Sequence, residues 1–463
     1  MTDVTTATTT PPEAERMRWF PRIFQPVPPA AVQVTDSAEI ELRYRHYRRS
    51  ILVWSIVGYA MFYFVRKNLS IAMPVMGEQL GVSKADLGLF LTLHGLLYGL
   101  SKFANGILGD RANPRTFMVA GLLLSAAMNF CFGLSTTAMA LGIFWMLNGW
   151  FQGMGFPPCA RLLTHWFTPR ELATKMSVWN TSHSLGAGAV VILCGYLVEH
   201  FRDWRLCFFV PAGLSVAAAG LLLVYLRDTP ASVGLPEVAG TCDVEAGEAG
   251  ENAPDDFKTF LREKVLGNRY IWILAVANFF VYTIRYAVLD WGPTLLKESK
   301  GVTLSHAGWM VAAFEASGVV GMVASGWLTD RLFGGRGART CVFCMIFCGT
   351  AVLLFSQVPQ GHLLLSTALL MAAGFFIYGP QALVGITVAN LATKRAAATA
   401  VGLTGLFGYA SAILSGWGLG VLVDHYGWDR ALEALLVIAA IATIIFIAAW
   451  PAPRDGYTTG IGD

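Results

Sequence analysis

The chain has 463 residues, of which 55% are hydrophobic and only 14% carry a charge. A soluble globular domain has about 25% charged residues, so this composition, with its repeated apolar runs of about 20 residues, excludes an ordinary soluble protein and predicts a polytopic helical membrane protein. The net charge of +3 is modest, and no basic tract indicates binding to nucleic acid.

The first 50 residues are predicted to be a cytoplasmic tail and a basic lead-in. Residues 1 to about 35 are rich in Thr, Pro, Ala and Val and lack the pattern of a signal peptide, so we expect a disordered tail. The segment from Glu39 to Ser50 is basic and partly amphipathic. Because its arginines directly precede the first apolar run, the positive-inside rule places the amino terminus in the cytoplasm.

Twelve apolar segments then predict an all-α protein with twelve transmembrane helices in two six-helix bundles. The first bundle, residues 51–226, contains segments 51–76, 86–109, 115–135, 138–162, 174–199 and 205–226. A polar cytoplasmic linker covers residues 227–268. The second bundle, residues 269–450, contains segments 269–296, 304–329, 339–358, 361–391, 396–422 and 430–450. The even count places the tail, residues 451–463, in the cytoplasm as well, and the excess of Lys and Arg in the loops on that side supports this orientation.

Cations inside two apolar segments are the most informative feature of the chain. Arg66 and Lys67 lie within the segment from Ile51 to Met76, and Arg285 lies within the segment from Ala277 to Trp291. An arginine at the centre of a membrane helix costs about 2.5–3.5 kcal/mol on insertion scales, so it is rare unless it faces a partner or an aqueous cavity. We therefore expect the two arginines to face each other and to hold an anion between them.

The same residue types recur at matching spacing in both halves. Arg66 precedes Asp110 by 44 residues, and Arg285 precedes Asp330 by 45. Each aspartate closes a G-x-x-x-D-R element, which predicts two repeats related by an axis along the membrane normal, with the substrate site between them. The element resembles the loop signature of the major facilitator superfamily, which implies a gating role at the cytoplasmic face for four residues: Asp110, Arg111, Asp330 and Arg331.

Longer motifs resemble the organophosphate:phosphate antiporter family over about residues 51–451. They are Tyr63-Phe-Val-Arg66-Lys67-Asn68, Tyr98-Gly-Leu-Ser-Lys102-Phe103, Gly149-Trp-Phe-Gln-Gly-Met-Gly155, Val178-Trp-Asn-Thr-Ser-His183, Val281-Tyr-Thr-Ile-Arg285-Tyr286, Leu289-Asp-Trp-Gly-Pro293 and Gly402-Leu-Thr-Gly-Leu-Phe-Gly-Tyr409. Within this family the chain is most similar to the glycerol-3-phosphate transporter. Phe156 departs from the family pattern, in which a tryptophan follows Gly155.

The resemblance implies a substrate site, no cofactor, no enzymatic activity and a monomer in the bacterial inner membrane. It makes Arg66 and Arg285 the phosphate-binding arginines. The other implied substrate-binding residues are His183, Lys102, Lys67, Tyr59, Tyr63, Gln152, Asn180, Tyr282, Tyr378 and Tyr409.

The chemistry of the residues agrees with exchange of a small organophosphate for inorganic phosphate. A phosphate monoester carries about −1.5 to −2 charges at pH 7, and guanidinium groups bind it in a bidentate way. An empty site with two cations is costly to close, whereas a loaded site is near neutral, so exchange becomes obligatory. His183, with an ordinary pKa near 6.5, could be charged when divalent phosphate binds.

Several alternatives remain open at this stage. Arg66 could instead reach a membrane interface, Arg285 could pair with Asp290, and Lys102 could pair with Glu315. A hexose phosphate or a phosphoglycerate is the alternative substrate. The resemblance argues mildly against a hexose phosphate, because the hexose-phosphate members of the family carry an Asp and a Lys near the eleventh segment, where this chain has the uncharged Val401 and Thr404. A transporter-like sugar-phosphate sensor with a kinase partner is the alternative outside transport.

Three cysteines on one face of a predicted helix raise the question of a metal site. Cys341, Cys344 and Cys348 have the necessary spacing, but no histidine or carboxylate lies in their segment. We expect them to be small packing residues.

Overall fold

The computed structural model describes residues 21–109, 112–238 and 262–454, and these are helical with no β-strand among them. The helices of the first half are α1 (Ser37–Phe64), α2 (Leu69–Leu80), α3 (Lys84–Gly109), α4 (Pro114–Leu134), α5 (Ala138–Gln152), α6 (Phe156–Trp166), α7 (Pro169–Phe201) and α8 (Leu206–Tyr225). Those of the second half are α9 (Arg269–Lys300), α10 (Leu304–Phe333), α11 (Gly337–Gln357), α12 (Leu363–Ala410) and α13 (Leu419–Ala448). The all-helical fold predicted from the sequence is confirmed.

Nine helical stretches of the described chain are long and apolar enough to cross a membrane, against twelve predicted segments. Segments 51–76 and 138–162 are each divided into two shorter helices. Segments 396–422 and 430–450 lie in one stretch, Thr399–Ala448, within which Gly427 has a φ of 79° and interrupts the helix. These two divisions and one junction account for the difference of three.

The helix predicted over 51–76 is broken at its cations, so the expectation of one continuous span was wrong. α1 ends at Phe64 and α2 begins at Leu69, so that Arg66 and Lys67 lie in the interruption. The break leaves the carbonyl of Val65 without its helical partner. Two buried side chains supply donors in its place: the Nδ2 atoms of Asn129 and Asn148 lie 2.9 and 2.8 Å from this carbonyl. Such substitution is what allows irregular backbone at membrane depth.

Prolines explain the division of segment 138–162. α5 ends at Gln152, and α6 begins at Phe156 with Pro157 and Pro158 in its first turn. Proline has no N–H to donate to the preceding turn, and it is tolerated where a helix begins. The chain therefore starts a new helix at this point.

The two halves are joined by ion pairs on one side of the membrane-embedded region. We call the end of the bundles opposite the chain termini the far end. Among the described residues, each ion pair between the halves lies between the middle of the bundles and the far end. These pairs are Lys67–Asp290 (2.5 Å), Lys297–Glu78 (2.6 Å) and Lys84–Glu298 (3.3 Å). The structure is therefore closed at the far end.

A carboxylate from the second half also caps a helix of the first half at the far end. The Asp424 side chain accepts hydrogen bonds from the backbone N–H groups of Ala85 (2.7 Å) and Lys84 (3.2 Å), at the start of α3. The first N–H groups of a helix have no partner within the helix, and the helix dipole favours a negative charge there. This contact adds to the closure.

Glycines permit the close approach of the two halves. A Cβ on Gly308 of α10 would lie 2.5 Å from the carbonyl oxygen of Val191 on α7. A Cβ on Gly88 of α3 would collide with the carbonyl of Gly416, in the π-helical turn Ile413–Gly418 that precedes α13. Small residues at helix contacts let backbones pack this closely in membranes.

The described part of the tail is ordered by contacts with the linker, so the expected disorder was wrong for residues 21–35. We call residues 21–36 the N-terminal strap. Its Phe24 carbonyl accepts a hydrogen bond from the N–H of Asn113 (2.8 Å), and its Val27 N–H donates to the carboxylate of Asp228 (2.9 Å). Two further backbone bonds join the strap to the linker: Ala30 N–H to Ala231 O (2.9 Å) and Val34 N–H to Gly234 O (2.8 Å).

Asp228 is the buried centre of this strap contact, with 2% of its surface exposed. Burial raises the pKa of its carboxyl group, and the hydrogen bond from Val27 and the charge of Arg161 act in the opposite direction. Arg161 lies 3.5 Å from the carboxylate and also donates to the carbonyl of Ala112 (2.5 Å). The strap, the linker and the loop before α4 are thus held together on the first half.

The three cysteines of α11 are buried, as expected of packing residues. Cys341, Cys344 and Cys348 are each at most 5% exposed, and the sulfur of Cys344 lies 3.6 Å from the hydroxyl of Ser325 on α10. No group of three or more metal-ligating side chains is found in the described part of the chain.

Replacing Gly308 with valine is expected to open the far end. The added side chain would collide with the carbonyl of Val191, so the closed arrangement would lose stability relative to an open one. Spin labels on the exposed Phe201 and Leu364, one in each half, should show longer distances in Gly308→Val than in the parent. Gly220→Val is the control, because a Cβ there meets no atom within 4 Å. An identical distance distribution in all three proteins would contradict the role of Gly308.

Breaking the Lys67–Asp290 ion pair is expected to destabilise the protein more than removing both charges together. The side chains of Lys67 and Asp290 are 8% and 15% exposed, and a buried charge left without its partner costs about 3–5 kcal/mol. Thermal unfolding in detergent should give a lower Tm for Asp290→Asn than for the double variant with Lys67→Gln. Additive losses in the double variant would show that the two side chains are not coupled.

Candidate functional site

Arg66 projects from the break between α1 and α2 into a group of tyrosines. Its guanidinium group lies 3.9 Å from the ring centroid of Tyr98 and 5.3 Å from that of Tyr63. It also interacts electrostatically with the phenols of Tyr286 and Tyr409 from the second half. No carboxylate lies within ion-pair distance of Arg66 among the residues that the structure describes. Aromatic faces stabilise a cation without neutralising it, so Arg66 keeps its charge for another partner.

Arg285 lies in the middle of α9 and is buried. Its Nη2 atom donates a hydrogen bond to the hydroxyl of Tyr378 (2.9 Å) and lies 3.7 Å from the carboxylate of Glu315. The expected alternative, a pair with Asp290, is not observed. The Nε atom of Arg285 and both carboxylate oxygens of Glu315 have no hydrogen-bond partner within the described chain. The ion pair is thus loose, and buried hydrogen-bonding capacity remains at both groups.

The two arginines act on the same tyrosines. Both guanidinium groups interact electrostatically with Tyr63 of the first half and with Tyr286 of the second. The guanidinium group of Arg66 lies 5.3 Å from the ring centroid of Tyr63, and that of Arg285 lies 5.9 Å from the ring centroid of Tyr286. The two arginines therefore lie near the same aromatic group where the halves meet. This is the arrangement expected if they are to hold one anion.

Lys67, the residue next to Arg66, is occupied by a carboxylate. Its Nζ atom lies 2.5 Å from Asp290 and 5.2 Å from the ring centroid of Tyr286. The ion pair joins the first half to the second immediately beside the two arginines. The geometry therefore suits Lys67 to a closing contact as well as to the predicted contact with substrate.

Lys102 reaches across the halves to a tyrosine, and the alternative pair with Glu315 is not observed. Its Nζ atom lies 3.2 Å from the hydroxyl of Tyr409 and 4.4 Å from the ring centroid of Phe156. No ion pair of Lys102 is found in the described ranges, so its charge also remains available. Phe156, which stands where the family has a tryptophan, offers the ammonium group only its ring face.

His183 and Tyr59 lie on the first-half wall of the site. The ring of Tyr63 is 5.9 Å from that of His183 and 5.7 Å from that of Tyr59. The Nδ1 atom of His183 pairs with the carbonyl of Asn180, and its Nε2 atom lies 3.3 Å from the hydroxyl of Ser184. The Asn180 side chain itself is exposed.

The remaining predicted residues divide between the site and its surroundings. Tyr282 is half-buried and packs on Tyr286, with ring centroids 5.4 Å apart. Gln152 is buried and lies 3.4 Å from the hydroxyl of Ser125, within the first half.

Asp330 and Arg331 are exposed, and Arg331 lies 5.3 Å from the ring of Trp327. Asp110 and Arg111 lie outside the described residues.

Tyr98, Tyr286 and Glu315 contact the arginines but were not among the predicted site residues. Tyr98 precedes Lys102 by four positions, which places both on one face of α3 and could have indicated it. Tyr286 directly follows Arg285 in an aromatic-rich segment, and no local pattern distinguishes it from a packing residue. Glu315 was considered only as an alternative partner of Lys102, because sequence alone does not show which cation a buried carboxylate meets.

The charges of the site leave a positive excess. Four cations, Arg66, Lys67, Lys102 and Arg285, face two carboxylates, Asp290 and Glu315. The difference of two positive charges equals the charge of a phosphate dianion. Charged groups removed from water interact strongly, so a dianion would be the complementary ligand.

Comparisons with known proteins agree with this geometry. The family model "Major Facilitator Superfamily" matches residues 55–416. The chain is 38% identical over 438 residues to the "Glycerol-3-phosphate transporter" of Bacillus subtilis (strain 168), covering 92% of this chain and 97% of that protein. It is 37% identical over 448 residues to the "Probable hexose phosphate transport protein" of Chlamydia pneumoniae, covering 94% and 98%. It is 36% identical over 431 residues to the "Membrane sensor protein UhpC" of Escherichia coli (strain K12), covering 92% and 97%.

The fold is also shared with a solved structure. A bacterial homologue of the human lysosomal transporter Spinster, in an inward-facing and unoccupied conformation, superposes with a TM-score of 0.71 at 16% identity, covering 87% of this chain and 97% of that one. The likeness at this identity concerns the fold alone. The family match and the three relatives carry the assignment: the chain is a transporter of the Major Facilitator Superfamily and, within it, belongs to the organophosphate:phosphate antiporter family.

Proposed function

We propose that this protein is a secondary antiporter that exchanges a small organophosphate, in the first place glycerol 3-phosphate, for inorganic phosphate by alternating access. The observation that carries the proposal is the pair Arg66 and Arg285, one from each half, which act on the shared tyrosines Tyr63 and Tyr286. An anion between them would contact both halves at once.

The partners of the two arginines support a phosphate-binding role. Arg66 has only aromatic neighbours at short distance, and Arg285 is 3.7 Å from Glu315, beyond the length of a strong charge-assisted hydrogen bond. Two phosphate oxygens could therefore bind a guanidinium group in a bidentate way, and on Arg285 the Nε atom has no hydrogen-bond partner in the described chain. The loose pair is suited to exchange its partner.

Obligatory exchange follows from the charge of the empty site. The excess of two positive charges makes the empty site costly to enclose in a low-dielectric environment. A phosphate dianion or a phosphate monoester would remove this cost equally well, because both present the same charged group. The halves would then rearrange readily when loaded and poorly when empty.

The Lys67–Asp290 pair is suited to take part in this rearrangement. It closes the far side of the site and lies next to Arg66 in the chain. A bound dianion would compete with Asp290 for Lys67, and the contact between the halves would weaken. Gating by Asp110, Arg111, Asp330 and Arg331 at the opposite end remains part of the proposal.

The relatives and the residues of α12 bear on the organic part of the substrate. Relatives named for glycerol 3-phosphate and for hexose phosphate have similar identity to the chain, and one named for phosphoglycerate transport in Salmonella typhimurium is 31% identical. Thr404 is buried, and its hydroxyl donates to the carbonyl of Val401 (2.9 Å). Both residues are uncharged, so neither offers an ionic contact to a larger sugar phosphate. We take this as support for the smaller substrate.

We also propose a monomer in a bacterial inner membrane, with cytoplasmic termini.

Replacing either arginine with lysine is expected to reduce phosphate exchange at least about tenfold. Lysine keeps the charge but loses the bidentate geometry, and each factor of ten corresponds to about 1.4 kcal/mol. Uptake of labelled phosphate into phosphate-loaded proteoliposomes measures the rate for Arg66→Lys and Arg285→Lys. Arg430→Lys is the matched control, because Arg430 is exposed and pairs only with Glu433 on the same helix. Exchange at the parental rate in both site variants would contradict the proposal.

Competition in the same assay is expected to identify the substrate class. Unlabelled glycerol 3-phosphate should inhibit uptake at lower concentration than glucose 6-phosphate or 3-phosphoglycerate, because the site is enclosed by aromatic side chains from both halves. Preferential inhibition by another of these esters would replace glycerol 3-phosphate as the substrate. Saturable binding of esters without any exchange would instead favour a sensor, which is the function that the name of the relative "Membrane sensor protein UhpC" states.

A further inference from the structure

A small cavity extends from Arg66 toward the far end. Both halves line it: Arg66, Lys67 and His94 from the first, and Tyr286 and Asp290 from the second. Its free volume is about 30 Å³, the space of one water molecule or one hydroxyl-bearing group. The cavity thus adjoins Arg66, and it is too small for a second phosphate.

His94, which lines this cavity, has a ring nitrogen that is an unused acceptor. The residue is 6% exposed, and its Nδ1 atom lies 3.0 Å from the carbonyl oxygen of Trp145. A carbonyl only accepts, so Nδ1 carries the proton and donates. In a ring with that tautomer, Nε2 carries a lone pair. Nε2 is buried and has no hydrogen-bond partner in the described part of the chain.

Packing fixes the direction of the His94 ring. The ring stacks on Trp145, with centroids 5.1 Å apart and an interplanar angle of 27°. The backbone is held as well, since a Cβ on Gly149 of α5 would lie 2.6 Å from the carbonyl oxygen of His94. An acceptor held this firmly in a cavity can discriminate between ligands, because the side chain cannot turn away from an unsuitable group.

The other polar groups of the cavity narrow the choice of ligand. Arg66 and Lys67 are donors, and the Asp290 carboxylate already bonds to Lys67. The dianionic phosphate group of an ester has only acceptor oxygens and cannot donate to Nε2. A hydroxyl group can do so, and its size fits the cavity. A ligand whose phosphate lies at Arg66 would bring such a hydroxyl group into place if its organic part points toward the far end.

We propose that His94 Nε2 accepts a hydrogen bond from a hydroxyl group in the organic part of the organophosphate and so selects hydroxylated esters over apolar ones. This inference rests on the proposed function, since it requires a phosphate ester at the arginines. The contact from α3 depends on the organic part of the ligand, whereas the arginines bind only the phosphate group.

The test compares two esters that differ in their hydroxyl groups. Glycerol 3-phosphate and n-propyl phosphate are used to displace labelled phosphate from the full-length protein in detergent, and the ratio of their half-displacement concentrations is recorded. The parent should favour glycerol 3-phosphate. In His94→Asn, whose amide N–H can still donate to Trp145 but which lacks an acceptor at the Nε2 position, this preference should fall about tenfold, the factor for one buried hydrogen bond.

Two further variants make the result specific. His94→Gln places an amide oxygen near the position of Nε2 and should retain most of the preference. His94→Phe keeps the ring that stacks on Trp145 but has no ring nitrogen, and should lose the preference as His94→Asn does. The ratio of the two half-displacement concentrations does not depend on the fraction of active protein, so a less stable variant can still be compared with the parent.

The outcomes separate the inference from the proposed function. An equal preference in the parent, His94→Asn and His94→Phe, or equal binding of the two esters by the parent, would overturn the inference alone. In either case the acceptor of His94 is satisfied by water. A parent that binds no phosphate would overturn the proposed function and the inference with it.

Discussion

Charge compensation within apolar helices is the constraint on which this structure depends. Arg66, Lys67 and Arg285 lie at membrane depth, where an isolated ion would cost several kcal/mol. The protein meets this cost in three ways: aromatic faces around Arg66, a short ion pair for Lys67, and a hydroxyl group with a loose carboxylate for Arg285. These partners come from several helices in both halves, so the position of each helix is tied to the neutralisation of the site.

The two halves repeat in sequence but differ at their arginines. Arg285 lies in an unbroken helix and has a carboxylate nearby, whereas Arg66 lies in a break and has none within ion-pair distance in the described ranges. The break requires Asn129 and Asn148 to satisfy the free carbonyl of Val65, which binds α4 and α5 to the site. Divergence between repeats has therefore produced one cation that is partly compensated and one that is not. An anion bridging them would meet two unequal contacts.

The sequence predicted the architecture well, because long apolar segments and sparse charge admit few alternatives in a membrane. It also drew attention to Arg66 and Arg285 as candidate site residues, since charges in apolar segments stand out. The break at residues 65–68 was missed because hydropathy does not report helix continuity, and the asparagines that permit the break are distant in sequence. The pairing of Lys67 with Asp290 and of Arg285 with Glu315 depends on how the halves pack. His94, to which a ligand contact is proposed above, was not among the predicted site residues because a single histidine in an apolar helix resembles a packing residue.

The N-terminal strap also determines how the start of the linker is held. Backbone hydrogen bonds join the strap to Ala231 and Gly234, and the carbonyl of Pro236 accepts a hydrogen bond from a tyrosine of α1. At the other end of the linker, the carbonyl of Leu266 accepts a hydrogen bond from Trp272 of α9 at 2.8 Å. The described ends of the linker are therefore fastened to different halves. Without the strap, the carbonyl groups of Ala231 and Gly234 would lose these donors, so a chain that begins at α1 would hold the linker on the first half less firmly.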